Sequence, residues 1–284
     1  MSGRQHYKKK RRMKRIFAIL LLFLAATSAK AYNHAVVGVP SPSMQKEVAV
    51  TIITPDSYDT TSTEGYNVVY LLHGYSDNNE SWYSRGKVGP YADQYNLIFV
   101  CPDGNNSWYW DSPVDSSYRY ETFVAEELVA WVDANYNTSP QRTSRAITGL
   151  SMGGHGALYL ALRHQDTFGA AGSTSGGVDI RSFPNDWEMY KRLGTKEQNP
   201  HHWEEYTVTN MLHLLPTDGS LALIIDCGTE DFFYEVNCAL HTKMVAKGIP
   251  HDFYVRPGQH NWHYWVGSIQ HQLLFFSNYF KRNK

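Results

Sequence analysis

The pentapeptide Gly149-Leu150-Ser151-Met152-Gly153 restricts the fold of this chain more than any other stretch. It joins a strand-like run, 145–148, to a helix-like run, 155–163. A serine at such a junction must turn sharply. The flanking glycines, with Gly154 beyond, remove the Cβ atoms that would collide there. The same turn aims the Ser151 hydroxyl outward and sets the Met152 backbone N–H at a helix N-terminus, where partial positive charge favours a developing oxyanion. Ser151 is therefore a candidate nucleophile, and Met152 a candidate oxyanion donor.

A serine needs a base and an acid to become a nucleophile, and both are available downstream. The apolar run 221–225 reads as a buried strand delivering Asp226-Cys227-Gly228-Thr229-Glu230-Asp231 at its C-terminal end, where α/β sheets present their chemistry. A second strand, 252–256, delivers Pro257-Gly258-Gln259-His260-Asn261-Trp262 in the same way. Asp226, Glu230 and Asp231 are the acid candidates, and His260 and His263 the base candidates. The order Ser, Asp, His is that of an α/β-hydrolase. Upstream, 68–72 is a buried strand ending at His73-Gly74-Tyr75, where the Tyr75 N–H is the candidate second oxyanion donor.

Four segments, Tyr70-Leu71-Leu72-His73-Gly74, Gly149 to Gly154, Cys227 to Asp231 and Pro257 to Trp262, give the chain a resemblance to the esterase D family of α/β-hydrolases. That family includes feruloyl and acetyl-xylan esterases, tributyrin esterases, S-formylglutathione hydrolases and mycolyltransferases. The resemblance runs from about Glu47 to the C-terminus. It implies Ser151 as nucleophile, Asp231 as acid, His260 as base, and the N–H groups of Tyr75 and Met152 as the oxyanion hole. Gln259 departs from the pattern, since many relatives carry a second glycine before the histidine. Local geometry agrees with the assignment. His263 starts the terminal helix and should point away from the loop, Asp226 is still on its strand, and Glu230 faces the other side of a tight turn. His73 is expected to hold the oxyanion loop by hydrogen bonding.

Charge is distributed unevenly. Nine of the 26 Lys and Arg lie in residues 1–31, ahead of and behind an apolar run at 16–26, and Ala29-Lys30-Ala31 is a small-x-small cleavage signature. Together they read as a secretory signal peptide over 1–31, directing residues 32–284 to a secreted or periplasmic location. The apolar run is shorter than the roughly 20 residues a bilayer span requires. Removal of 1–31 would leave 17 basic against 27 acidic residues, a net charge of −10. That balance argues against nucleic acid as a partner, because phosphate binding needs clustered Lys and Arg. The remaining chain of about 250 residues suits a single domain. The three cysteines have no metal-ligand spacing and allow one disulfide at most.

Alternating strand and helix patterns predict an α/β-hydrolase with a mostly parallel central sheet and helices on both faces. Strands are expected at 48–54, the first of them and with the alternation of an antiparallel edge pair, and at 66–73, 97–101 and 170–175. Helices are expected at 122–136, 234–247 and 262–279. The helix-like pieces over 181–215 contain no strand, and the resemblance implies a small helical cap there. Aromatic loops supply the substrate expectation. Trp108 and Trp110, joined by Trp82 and Tyr120, are expected to line a pocket and stack on sugar rings or phenolic acyl groups. Asp111 and Asp115, in the same loop, are read as ordinary loop carboxylates, and no metal or cofactor is expected. The function implied is ester hydrolysis through an acyl-enzyme, on a small-molecule or carbohydrate ester. Transfer to another alcohol is the alternative, and a silent carbohydrate-binding scaffold a remote one.

Overall fold

The computed structural model describes residues 32–215 and 217–283, so the expected leader lies outside the described residues. Eight strands form one sheet: β1 (Asn33–Ser41), β2 (Lys46–Thr54), β3 (Asn67–Leu72), β4 (Leu97–Pro102), β5 (Arg145–Gly149), β6 (Ala170–Thr174), β7 (Ala222–Gly228) and β8 (Asp252–Arg256). Their order is β1-β2-β4-β3-β5-β6-β7-β8. β1 and β2 are antiparallel to their neighbours, and every pairing from β4 through β8 is parallel. The principal helices are α1 (Ser81–Ser84), α2 (Gly89–Tyr95), α3 (Leu128–Asn135), α4 (Met152–Arg163), α5 (Tyr190–Leu193), α6 (Pro200–Glu205), α7 (Tyr234–Ala246) and α8 (Trp262–Arg282).

The period of two in each central strand sends alternate residues to opposite faces. Val68, Tyr70 and Leu72 of β3 join one core with α3, α4 and α7, while Val69 and Leu71 join the other with α1, α2 and α8. The middle of the sheet is therefore buried on both sides, as parallel strands require.

Two sequence expectations change here. The strand read at 48–54 is not the first: β1 precedes it and pairs with it antiparallel along its whole length, from Asn33↔Thr54 to Ser41↔Lys46, so β1 is the edge of that pair. The expected helix over 122–136 is not uniformly α-helical. A short α-helical turn, Tyr120–Thr122, leads into a π-helical stretch, Phe123–Glu127, before α3. The segment expected as a cap contains no strand among the described residues; its helical pieces, the turn Ile180–Ser182, α5, α6 and the 3₁₀ run Val208–Leu214, are joined by turns and irregular chain.

Register fixes where chemistry can occur. Leu72 of β3 lies opposite Gly149 of β5, Thr174 of β6 opposite Asp226 of β7, and Gly228 of β7 opposite Arg256 of β8. The four loops that follow β3, β5, β7 and β8 thus emerge at one rim, the C-terminal edge favoured by open α/β sheets.

Candidate active site

Ser151 sits between β5 and α4 with φ 56° and ψ −119°, a backbone conformation that non-glycine residues seldom adopt. Close packing enforces it. A Cβ on Gly149 would lie 2.5 Å from the Gly153 backbone, and one on Gly153 would lie 2.3 Å from the Leu72 carbonyl oxygen. The turn is pinned by Ser151 N–H donating to the Thr174 carbonyl at 2.9 Å and by His155 N–H donating to the Ser151 carbonyl at 3.0 Å. Neither the Met152 N–H nor the Tyr75 N–H makes a turn or loop backbone hydrogen bond among the described residues.

Three distant side chains meet at this rim. His260 Nε2 is 2.9 Å from Ser151 Oγ, and His260 Nδ1 lies 2.8 and 3.0 Å from the two Asp231 oxygens. A carboxylate only accepts, so Nδ1 carries the proton that donates to Asp231, and Nε2 is left to accept from the Ser151 hydroxyl. The Asp231 side chain is fully buried and that of His260 is 14% exposed. The carboxylate is held further by the Phe233 N–H, which donates to Asp231 Oδ1 at 2.8 Å. The acid and histidine loops are tied together by Thr229 N–H donating to the Arg256 carbonyl and Glu230 N–H to the Gly258 carbonyl, both at 2.9 Å. At the start of α8, the Asn261 side chain accepts from Tyr264 N–H and fixes the exit from the histidine turn.

The competing residues are elsewhere. His263 is exposed on α8. Glu230 is exposed and accepts from Gln259 Nε2 at 3.2 Å. Asp226 remains on β7, buried, where it accepts from Thr174 and Gln272, and burial raises its carboxyl above the ordinary range. His73 is buried beneath the Gly74-Tyr75 turn. Its Nε2 accepts from the Gly104 N–H at 2.8 Å and its Nδ1 donates to the Gly74 carbonyl at 2.8 Å, which braces that turn against the loop after β4.

The aromatic residues expected to line a pocket do not do so. Trp82, Trp108, Trp110 and Tyr120 are each at most 2% exposed, so no face is open for stacking. The cause is hydrogen bonding and close packing that a loop sequence does not reveal. Trp82 Nε1 donates to the Leu72 carbonyl at 2.9 Å. Trp110 Nε1 donates to His155 Nε2 at 2.9 Å, and His155 Nδ1 donates to the Gly177 carbonyl at 2.9 Å. Trp108 stacks on Trp110 with ring centroids 5.5 Å apart, and the Tyr120 hydroxyl accepts from Lys46 Nζ. The loop after β4 is thus clamped onto α4 instead of overhanging the rim. Burial also pulls the His155 imidazole down to about 4, keeping it neutral so that Nε2 can accept. In the same loop Asp111 pairs with Arg119 and Asp115 with Arg192 of α5, each at 2.8 Å.

A different aromatic set surrounds His260. The Phe232 ring centroid is 4.1 Å from that of the imidazole, Trp265 stands edge-on at 4.9 Å, and Phe233 at 5.4 Å. Trp187, from the cap, stacks on Phe232 at 5.6 Å with an interplanar angle of 21°. Sequence reading passed over these residues, although Phe232 and Phe233 directly follow Asp231 and must flank any histidine that Asp231 touches. From the other side the cap brings Glu188 to the Tyr75 side chain, whose phenol is raised by burial first and by Glu188 second.

A rim of this kind on a sheet of this order defines an α/β-hydrolase fold, and comparison with known proteins narrows it. The family described as "Putative esterase" matches residues 41–276, and the chain belongs to that family. An acetyl esterase of Caldicellulosiruptor saccharolyticus is 26% identical over 226 residues, which cover 76% of this chain and 85% of that protein. The diacylglycerol acyltransferase/mycolyltransferase Ag85A of Mycobacterium bovis is 34% identical over 153 residues, half of this chain but only 42% of that protein. Among solved structures, a ferulic acid esterase superposes with a TM-score of 0.76 at 29% identity, covering 88% of this chain and 99% of the other. The chemistry common to the family is carboxylic ester hydrolysis or acyl transfer. The resemblance to the esterase D family read from the sequence agrees with these matches.

Proposed function

We propose that this chain is a secreted serine esterase that hydrolyses acyl or feruloyl esters of carbohydrates through an acyl-enzyme. Residues 1–31 act as its leader and residues 32–284 as one catalytic domain. The observation that carries the reading is the continuous hydrogen-bonded path from Ser151 Oγ through the His260 ring to Asp231. His260 takes the Ser151 proton as Oγ attacks the ester carbonyl, while Asp231 holds the imidazole in its productive tautomer and stabilises the imidazolium. The Tyr75 and Met152 N–H groups receive the negative charge on the carbonyl oxygen, each contributing about 3 kcal/mol by the scale of oxyanion-hole deletions. His260 then gives its proton to the departing alcohol oxygen. Water enters, loses a proton to the same imidazole, and releases the acid with Ser151 restored.

No step calls on a metal or cofactor, so a chelator should leave the rate unchanged; strong inhibition would contradict the scheme. The direct test is turnover of a p-nitrophenyl acyl ester by Ser151→Ala, with circular dichroism as the folding control. A folded, inactive variant is expected, and a folded variant with full activity would end the proposal. The likeness to a mycolyltransferase favours one second reading, in which a sugar alcohol replaces water at the acyl-enzyme. The partition of product between free acid and transferred ester, with a sugar acceptor present, separates the two.

A further inference from the structure

We propose that Phe232 and Trp187 form the platform on which the ring of the departing alcohol rests, and that this pair selects esters of cyclic sugar alcohols. The inference rests on the triad reading above and assigns one side of that site. In the tetrahedral intermediate the former carbonyl carbon carries four groups: Ser151 Oγ, the oxyanion, the acyl carbon and the leaving oxygen. The oxyanion is directed to the Tyr75 and Met152 N–H groups. The leaving oxygen must approach His260 Nε2 to receive its proton. Whatever that oxygen carries is therefore held beside the imidazole, and the acyl chain departs in the remaining direction.

Among the described residues three aromatic rings contact the imidazole, and one of these is open. Trp265 and Phe233 are 6% and 1% exposed, whereas Phe232 is 52% exposed. A large apolar side chain held this far in water beside a catalytic imidazole gains little from folding. It is also not left to swing freely, because Trp187 stacks on it nearly parallel, and Trp187 packs in turn on Phe183 and Phe233 at 5.5 and 5.1 Å. The cap adopts an unfavourable backbone to bring Trp187 there: Trp187 and Glu188 are consecutive non-glycine residues with φ 47° and 54°. The result is a flat, supported, apolar surface of one to two rings next to the proton donor. Glu188, next to Trp187 in the chain, pairs with Lys191 and meets the Tyr75 side chain. A flat apolar surface of this kind suits the C–H face of a pyranose or furanose ring.

The experiment pairs an acetyl ester of a methyl pyranoside with ethyl acetate, so that only the alcohol differs, and measures kcat and KM for each. Phe232→Ala is expected to lower the ratio of kcat/KM, pyranoside over ethyl, about tenfold, with the change carried by KM. Trp187→Ala should lower the same ratio, and Phe232→Trp should retain it. An equal loss on both esters, carried by kcat, would show that the ring merely positions His260 and would overturn the proposal. So would a loss that tracks the acyl group when acetyl, butyryl and feruloyl ethyl esters are compared. Ser151→Ala is run alongside. If it turns over both esters, the catalytic reading itself fails; if it is inactive while the Phe232→Ala ratio does not move, the platform alone fails.

Discussion

At Ser151 the backbone is held at φ 56° by neighbours that leave no room for relaxation, and the hydroxyl is delivered 2.9 Å from a proton acceptor. The role of Asp231 follows from the same geometry. Asp231→Asn keeps the shape but can donate to Nδ1, favouring the wrong tautomer. We expect kcat to fall by about 10⁴-fold with the melting temperature little changed, as for triad acids generally. A loss below tenfold would point to Glu230 as the working acid. The three residues that meet at the rim were legible in the sequence as candidates because glycines and chain order constrain them locally. The rings were not: Trp110 and Phe232 are both loop aromatics, and only the presence of His155 beneath one and solvent above the other decides which is core and which is surface.

The elements show why the turn after β5 tolerates so little. A side chain on Gly153 would meet the Leu72 and His73 carbonyl oxygens at 2.3 and 2.6 Å, both of them backbone, so α4 would have to shift away from β3. Gly153→Ala is expected to lower kcat/KM by at least about 100-fold through misplacement of Ser151, with a lowered melting point; wild-type kinetics would refute this account of the turn. The loop after β4 makes a second case. Trp110→Phe leaves the buried His155 Nε2 without its donor, and a loss of about 1–3 kcal/mol in denaturant unfolding should follow. Most elements were readable, since central strands are continuous apolar runs and the long terminal helix α8 carries a clear apolar face. β1 was not, because its half-exposed residues alternate weakly and its partner β2 alone determines its pairing. The π-turn at Phe123–Glu127 likewise has no signature in apolar spacing.

Across the whole molecule, the mostly parallel sheet with helices on both faces followed from the alternation of strands and helices, while the strand order and the packing of the cap's aromatic residues did not. Folding also carries a pH dependence that the sequence does not disclose. His155 titrates near 6.5 when the chain is unfolded and about 4 when folded. Between those values the unfolded chain binds more protons, so stability falls as pH drops from about 6.5 towards 4, by at most ~1.4 kcal/mol per pH unit from this group, and is unaffected by it at higher pH. Denaturant midpoints at pH 7 and pH 5 should show a smaller drop for His155→Gln than for the wild type, and equal drops would contradict the assignment. The triad as proposed activates one serine, Ser151. Intact-protein mass spectrometry after fluorophosphonate treatment, followed by peptide mapping, reads this out. A single adduct on Ser151, abolished in His260→Ala, is the predicted result; an adduct on another serine, or undiminished ester turnover with Ser151 unlabelled, would contradict it.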